Sequence, residues 1–581
     1  MKSLRAHAAL FSASVIALTL PLAVRPLRSE QSPAEIPAPT IRVNAHMVLV
    51  DVVVTDKKGE PVTGLKAGDF TVEENGKKQK IATFTSTEEL TKAPSVAELA
   101  PGIYTNRPEF RSPGGPLVVF VLDAANTSFR DQAYGRLQMI KFLQEQNKPN
   151  QRMAVFTLTD HLQMVQDFTS DPQVLTAGLK RYQPQQPVMT ENARPPNPEL
   201  ATSGLGPAAA AQVQQAFDVL SSFQSVTLAY ALDRRTEETL EGMRSLARVL
   251  GGIPGRKEVI WLTAAFPFDL IPEDRNISEA EEALLQQGIR QTSLATQAGA
   301  STAAGERTSH TEEIRQAAAQ LSAAQIALYP IDVRGLMSGM ELNFNNTGVP
   351  VNSGVARMSD VKADQLTMRQ LAEETGGKAY VNQNDIKSGI QTAVADSNAS
   401  YTIGYYPEDK RWNGKYRTIK VKANREGVQV RSRKGYFALD PVQIKKRKSE
   451  DDVTEALRDA IPTTLVTFSA RVKPAEQGKI GIDFLVDAHS LTAADGSKGK
   501  KKLDADFYSL IVSPTGKILG THSMKVSQEF PEDVYQQILQ KGLLLHMDLD
   551  SQPGKDSQVR LAVRDNVTGY LGTIAGPLAT Q

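Results

Sequence analysis

The spacing of apolar residues changes repeatedly along the chain, and the changes mark its units. Val48, Val50, Val52 and Val54 alternate with Leu49, Asp51 and Val53, the two-residue period of a strand. Asp56-Lys57-Lys58-Gly59 reads as a turn. Two short strands follow, Phe70–Glu74 and Gln79–Thr85, with the hairpin signal Asn75-Gly76 between them. From Pro116 onward short apolar runs alternate with helical periodicity: strand Leu117–Leu122, a helix near Asp131–Glu145, strands Met153–Thr159 and Met164–Phe168, and a helix near Pro172–Tyr182. Gln183–Gln215, rich in Pro, Gln, Ala and Asn, interrupts this pattern and reads as a surface insertion. It resumes with a helix around Thr236–Leu250, strand Glu258–Thr263, helix Glu312–Gln325 and strand Ile326–Val333. A Gly/Asn-rich loop to about Asp364 follows, then helix Leu366–Thr375 capped by Gly376-Gly377, strand Lys378–Val381 and helix Ile386–Ser397.

A run as apolar as Leu117–Leu122 must be covered on both faces, and alternating helices supply the cover. The pattern therefore predicts an α/β fold with a doubly wound, mainly parallel sheet. Alternation returns at Tyr401–Tyr406, Tyr416–Lys422 and Gln429–Arg433, which would pair with the first strands in a β-sandwich holding or flanking the α/β unit. Lys445-Lys446-Arg447-Lys448 reads as a solvated linker, and strand-like segments from Val466 predict a C-terminal all-β domain. The expected organisation is an N-terminal segment 1–29, a β unit 41–90, an α/β domain 115–398 with an insertion at 183–225, returning strands 399–440, a linker 441–455 and a β domain 456–581.

At the amino end, Lys2, Arg5 and His7 precede an uncharged run from Ala8 to Val24. This is the layout of an export signal, so a periplasmic, envelope or extracellular location is expected, with the segment either cleaved or kept as a membrane anchor. No other run reaches about 18 apolar residues, so no second span is expected. Lys plus Arg number 66 against 65 for Asp plus Glu, which leaves no field suited to nucleic acid. The absence of cysteine removes disulfides, thiolate nucleophiles and Cys-ligated metals. Seven histidines show no zinc-ligand spacing, and no Gly-x-Ser-x-Gly elbow occurs. Gly251–Lys257 lies after a helix and before a strand, the reverse of a phosphate cradle, and reads as a turn.

Several ordered segments carry a resemblance. They are Leu49–Asp56, Pro61-Val62-Thr63-Gly64-Leu65, Asp69-Phe70, Gly255-Arg256-Lys257, Tyr329–Leu336, Thr375-Gly376-Gly377, Tyr401–Pro407 and Lys434-Gly435-Tyr436-Phe437. Together, over about residues 41–440, they resemble the von Willebrand factor A-related domain family of Acidobacteria. The resemblance implies an exported protein with a von Willebrand factor A-like sheet and no established reaction. It also implies a divalent cation, Mg²⁺ or Ca²⁺, held at the carboxyl edge of the sheet by an Asp-x-Ser-x-Ser loop, a distant Thr and a distant Asp. In this chain the loop is Asp123-Ala124-Ala125-Asn126-Thr127, so Ala125 replaces a hydroxyl. The distant Thr would be Thr227 or Thr236. The distant Asp is missing, because Val259–Thr263 runs into Ala264-Ala265.

The metal candidates are thus Asp123, Thr127 and Thr236 in a degenerate adhesion site, with Asn126 and Asp332 as rim contacts. Against this stands a loop in which Asp123 and Asn126 bond the backbone, and a structural Asp332–Arg334 pair. Tyr401, Tyr405 and Tyr406 read as either a contact patch or the half-buried face of a strand. No catalytic residue and no certain cofactor emerge. The leading expectation is a non-enzymatic module for adhesion or scaffolding that binds a protein or envelope component. The alternatives are a metal-assisted hydrolase using Asp123, Thr127 and Asp332, and a purely structural envelope component.

Overall fold

The computed structural model describes residues 47–87, 99, 102–107, 116–145, 151–185, 206–268, 311–335, 352–397, 400–439, 453–454, 456–457, 463–473, 478–551, 553–554 and 556–578. The Ala8–Val24 run, the basic linker and parts of the expected insertion lie outside them. No described helix is long and apolar enough to cross a membrane.

The protein is mixed α/β. Strands β1 (Val48–Asp56), β2 (Phe70–Glu74), β3 (Lys77–Gln79) and β4 (Ile81–Ser86) open the described chain. They pair with strands some 350 residues later: β11 (Ser400–Tyr405) lies between β1 and β4, β13 (Val428–Ser432) beside β1, and β12 (Tyr416–Ala423) between β2 and β14 (Gly435–Phe437). Val50, Val52, Phe70, Val72, Ile403 and Ile419 form the shared core of the two sheets. The alternation in β1 thus has its physical cause, since its even-numbered valines are buried in that core.

Between these strands stands a five-stranded sheet, in the order β10 (Ile326–Asp332), β9 (Lys257–Thr263), β6 (Leu117–Asp123), β7 (Arg152–Leu158), β8 (Leu162–Thr169). The first three pairings are parallel and β7–β8 is antiparallel. Every residue of β6, β9 and β10 is buried. One face, through Val119, Val121 and Trp261, packs on helices α3 (Pro207–Leu250), α4 (Thr311–Ala323) and α5 (Asn352–Thr375). The other, through Val118, Phe120 and Tyr329, packs on α1 (Phe129–Glu145), α2 (Pro172–Arg181) and α6 (Ile386–Asp396). Asp171 and Asp385 cap α2 and α6 by accepting backbone N–H groups at 2.8 and 2.9 Å.

Three expectations change. The segment from Pro207, read as part of a low-complexity surface insertion, is the start of α3, a 44-residue helix about 66 Å long at the usual rise. Helix α5 begins at Asn352, inside the expected Gly/Asn-rich loop. Lys378–Val381 contributes one isolated bridge, Ile331 to Tyr380, rather than a sixth strand.

The C-terminal part is a second sandwich. Its sheets run β20 (Leu543–Asp550), β16 (Lys479–Val486), β15 (Phe468–Val472), β5 (Ile103–Thr105), and β17 (Ala494–Asp495), β18 (Lys501–Val512), β21 (Gln558–Asp565), β22 (Leu571–Pro577), with β19 (Ile518–Phe530) also on β18. Phe468 and Phe484 of one sheet meet Phe507 and Leu561 of the other. The amphipathic helix α7 (Glu532–Lys541) makes this part not purely β. Strand β5 arrives from between β4 and β6 and was not legible in the sequence. Asn106 then donates from Nδ2 to the Thr463 and Val466 carbonyls, both at 2.8 Å. The sandwich also rests on the end of α3: Gly252 N donates to Thr464 Oγ1 at 2.9 Å, and a Cβ at Gly252 would lie 1.9 Å from the Thr464 carbonyl oxygen.

Candidate functional site at the carboxyl rim of the central sheet

Strand β6 ends at Asp123, and the following loop is tied to the next strand by Ala124 N and Ala125 N donating to the Leu158 carbonyl at 2.8 and 3.0 Å. Ala125 turns its methyl into the apolar core of one sheet face, which accounts for the missing hydroxyl. Asp123 itself is 1% exposed. Its Oδ1 accepts the Asn126 backbone N–H at 2.9 Å. Its Oδ2 accepts Trp261 Nε1 at 3.0 Å, Thr263 Oγ1 at 2.8 Å and Asn126 Nδ2 at 3.0 Å. Burial pushes the Asp123 carboxyl above its ordinary range, while the bonds from Trp261, Asn126 and Thr263 pull the other way.

Asn126 carries the network outward. Its Nδ2 also donates to Thr239 Oγ1 at 2.8 Å, and its Oδ1 accepts Arg235 Nε at 3.0 Å. Arg235 fixes the amide orientation, because a guanidinium can only donate. Thr127 Oγ1 accepts the Ala264 N–H at 3.1 Å, at the place where a distant Asp was looked for. The Thr127 carbonyl accepts Gln132 Nε2 at 2.7 Å.

Thr236 does not open a helix. It lies deep inside α3, its hydroxyl donating to the Leu232 and Pro267 carbonyls at 2.9 Å. It ties the helix to the loop after β9 without touching Asp123 through any hydrogen bond found among the described residues. The side chain of Thr227 falls outside them. Asp332, fully buried, accepts Arg334 Nε at 2.9 Å and Gln365 Nε2 at 3.1 Å, while Arg334 also pairs with Asp364 at 2.7 Å. Asp332 and Asp123 flank β9 on opposite sides and serve separate networks.

The structure thus brings Asp123, Asn126 and Thr127 together and leaves Thr236 and Asp332 apart. Trp261, Thr263, Thr239 and Arg235 belong to the rim and were not singled out from the sequence. Thr263 carried a readable signal, being the polar end of an apolar strand beside Asp123. Of the tyrosines, Tyr401 donates to the Val62 carbonyl and Tyr405 to Glu74 Oε2, at 2.8 and 2.7 Å, both buried; Tyr406 is 53% exposed.

No family profile and no curated protein matches the chain. Among solved structures, a von Willebrand factor type A protein from Catenulispora acidiphila overlaps at 8% identity, covering 88% of this chain and 74% of its own, with a TM-score of 0.21. An aerotolerance-related membrane protein from Bacteroides fragilis overlaps at 10% identity over 48% of this chain and 98% of its own, with a TM-score of 0.24. The three N-terminal domains of the type V pili tip protein Mfa5 from Porphyromonas gingivalis overlap at 8% identity over 92% and 99%, also with a TM-score of 0.24. Scores this low leave family and function to be argued from the residues.

Proposed function

We propose that the chain is an exported, non-enzymatic module of von Willebrand factor A-like, doubly wound type, which binds a protein or envelope component through the carboxyl rim of its central sheet. The observation that carries the reading is the state of Asp123. The carboxylate best placed for chemistry is buried, and N–H and O–H donors take up both its oxygens. A general base or nucleophile needs a lone pair facing substrate, and a cation ligand needs one facing the ion.

These residues do not fit a hydrated divalent cation. Trp261 can only donate, Thr127 Oγ1 already accepts an N–H, and no group of three or more acidic, His or Cys side chains gathers among the described residues. A hydrolase built on Asp123, Thr127 and Asp332 lacks support for the same reason, since Asp332 is engaged by Arg334 and Gln365. What the rim offers to a partner is the half-buried Arg235 at the outer side of this buried network.

Calorimetric titration of the protein with Mg²⁺, Ca²⁺ and Mn²⁺ to millimolar levels should give no saturable heat. Purified envelope fractions should contain a saturable binder for the wild-type chain. Cation binding at the rim, or no affinity for any envelope fraction, would overturn the reading.

A further inference from the structure

We infer that Arg235 is the rim's ligand-contacting residue, receiving the single carboxylate of an extended, otherwise apolar segment of a partner protein without a metal ion. This rests on the docking reading above and names its chemistry. Arg235 is half-buried on α3, and its Nε donates to Asn126 Oδ1 at 3.0 Å, the one hydrogen bond its side chain makes among the described residues. That bond is backed inward, because Asn126 Nδ2 donates to both oxygens of buried Asp123, at 3.2 and 3.0 Å. The amide is held so that its oxygen faces the guanidinium. One donor of the fork is thereby fixed, and the end-on Nη1 and Nη2 groups remain to grip a carboxylate in two bonds.

Two acidic groups near this stretch of α3 are already paired. Arg234 pairs with Glu238 at 2.8 Å, and Asp160 with His161 at 2.7 Å. Leu232, three residues before Arg235 and so on the same helical face, is 42% exposed. Tyr230 is 70% exposed on the same helix, and Phe129, three residues after Asn126, is 52% exposed. An arginine with an exposed apolar residue on its own helical face, and an exposed tyrosine on the same helix, has residue types that recur in interaction hot spots. The charge argues for the occupant. One anchored cation beside apolar side chains matches a single Asp or Glu flanked by apolar residues, whereas an anionic membrane or nucleic acid would call for a basic field, and the chain's net charge is only +1.

The test uses the full chain and a fluorescent peptide, Gly-Leu-Asp-Tyr-Gly, with its carboxamide counterpart Gly-Leu-Asn-Tyr-Gly. The acidic peptide should bind, unaffected by EDTA, and the carboxamide should lose at least tenfold. Arg235→Gln should lose at least tenfold while still unfolding in one cooperative transition. Arg235→Lys, which keeps charge but not the fork, should fall between, and Leu232→Ala should weaken binding several-fold. Equal binding by Arg235→Gln, binding that requires Mg²⁺, or no binding of the acidic peptide to wild type at millimolar concentration overturns the inference. The wider reading fails separately, by loss of all envelope binding in the wild type. An Arg235→Gln protein that still binds envelope as wild type sinks only the role of Arg235.

Discussion

At Asp123 the identity of a residue and its use part company. The acid ends the first apolar strand of the central sheet, where the resemblance would put a cation ligand, yet its oxygens hold Asn126, Trp261 and Thr263 in place. Removing one donor is a mild test: Trp261→Phe keeps a buried aromatic ring and should cost about 1.5–3 kcal/mol, the range for a hydrogen bond to a charged group. Asp123→Ala should cost more, because it leaves the Trp261 N–H buried without an acceptor and removes the Asn126 and Thr263 bonds as well. Chemical denaturation of both variants measures the order, and an Asp123→Ala protein as stable as wild type would refute the knot. The loop residues Asp123, Asn126 and Thr127 were legible as a cluster from their spacing. Their partners were not, since Trp261, Thr239 and Arg235 lie more than a hundred residues away and meet them only through strand and helix packing.

Elements were more readable than their ends. Strands β6, β9 and β10 announce themselves as apolar runs because both faces are covered, and β16 alternates cleanly between buried and half-buried positions. Helix α3 was half missed. Only its last turns, with Leu240, Met243 and Leu246, carry the apolar stripe of a helix packed on a sheet. Residues 207–212 are largely exposed and alanine-rich, so they carry little periodic signal. The Gly251-Gly252 pair after α3 is explained by contact rather than by turn geometry alone. Gly252→Ala would drive a methyl into the Thr464 carbonyl. It should loosen the C-terminal sandwich, lowering the melting midpoint by several degrees or splitting one transition into two, as calorimetry would register; an unchanged single transition would contradict the contact.

Across the whole molecule, the segments that carried the family resemblance meet at the opposite end of the sheet from the rim. Arg256 donates to Glu258 Oε1 at 3.0 Å, to Tyr329 Oη at 2.9 Å and to the Gly376 carbonyl at 2.8 Å. Gln325, at the foot of β10, donates to Asp51 of β1 at 3.0 Å. The half-buried Gln325–Asp51 bond joins the α/β layer to the first sandwich, and buried Arg256 ties β9, β10 and the turn after α5 together. Beside them Lys257 Nζ donates to the Ile253 carbonyl at 2.7 Å, and burial draws its pKa down to about 7, against the pull of Asp51 and Glu258. Because the folded value lies below the unfolded one, this lysine penalises folding increasingly as pH falls from about 10.5 to about 7, and fully below that. Lys257→Met should therefore flatten the rise of stability between pH 7 and pH 10, as urea denaturation at several pH values would measure; an identical slope in both proteins would count against a strained lysine. The sequence showed these motifs but not their meeting, since a buried junction is built from residues hundreds of positions apart.

Strand β5 gives the molecule one more property. The three residues Ile103–Thr105 must wait for Phe468–Val472 before they have a partner, and β1 and β2 must wait for Ser400–Ala423. One closure therefore straddles the other along the chain. A polypeptide made from its amino end cannot finish any outer layer until most of its length exists, so truncations near residue 455 should strand an orphan edge and aggregate, and the complete product should fold slowly.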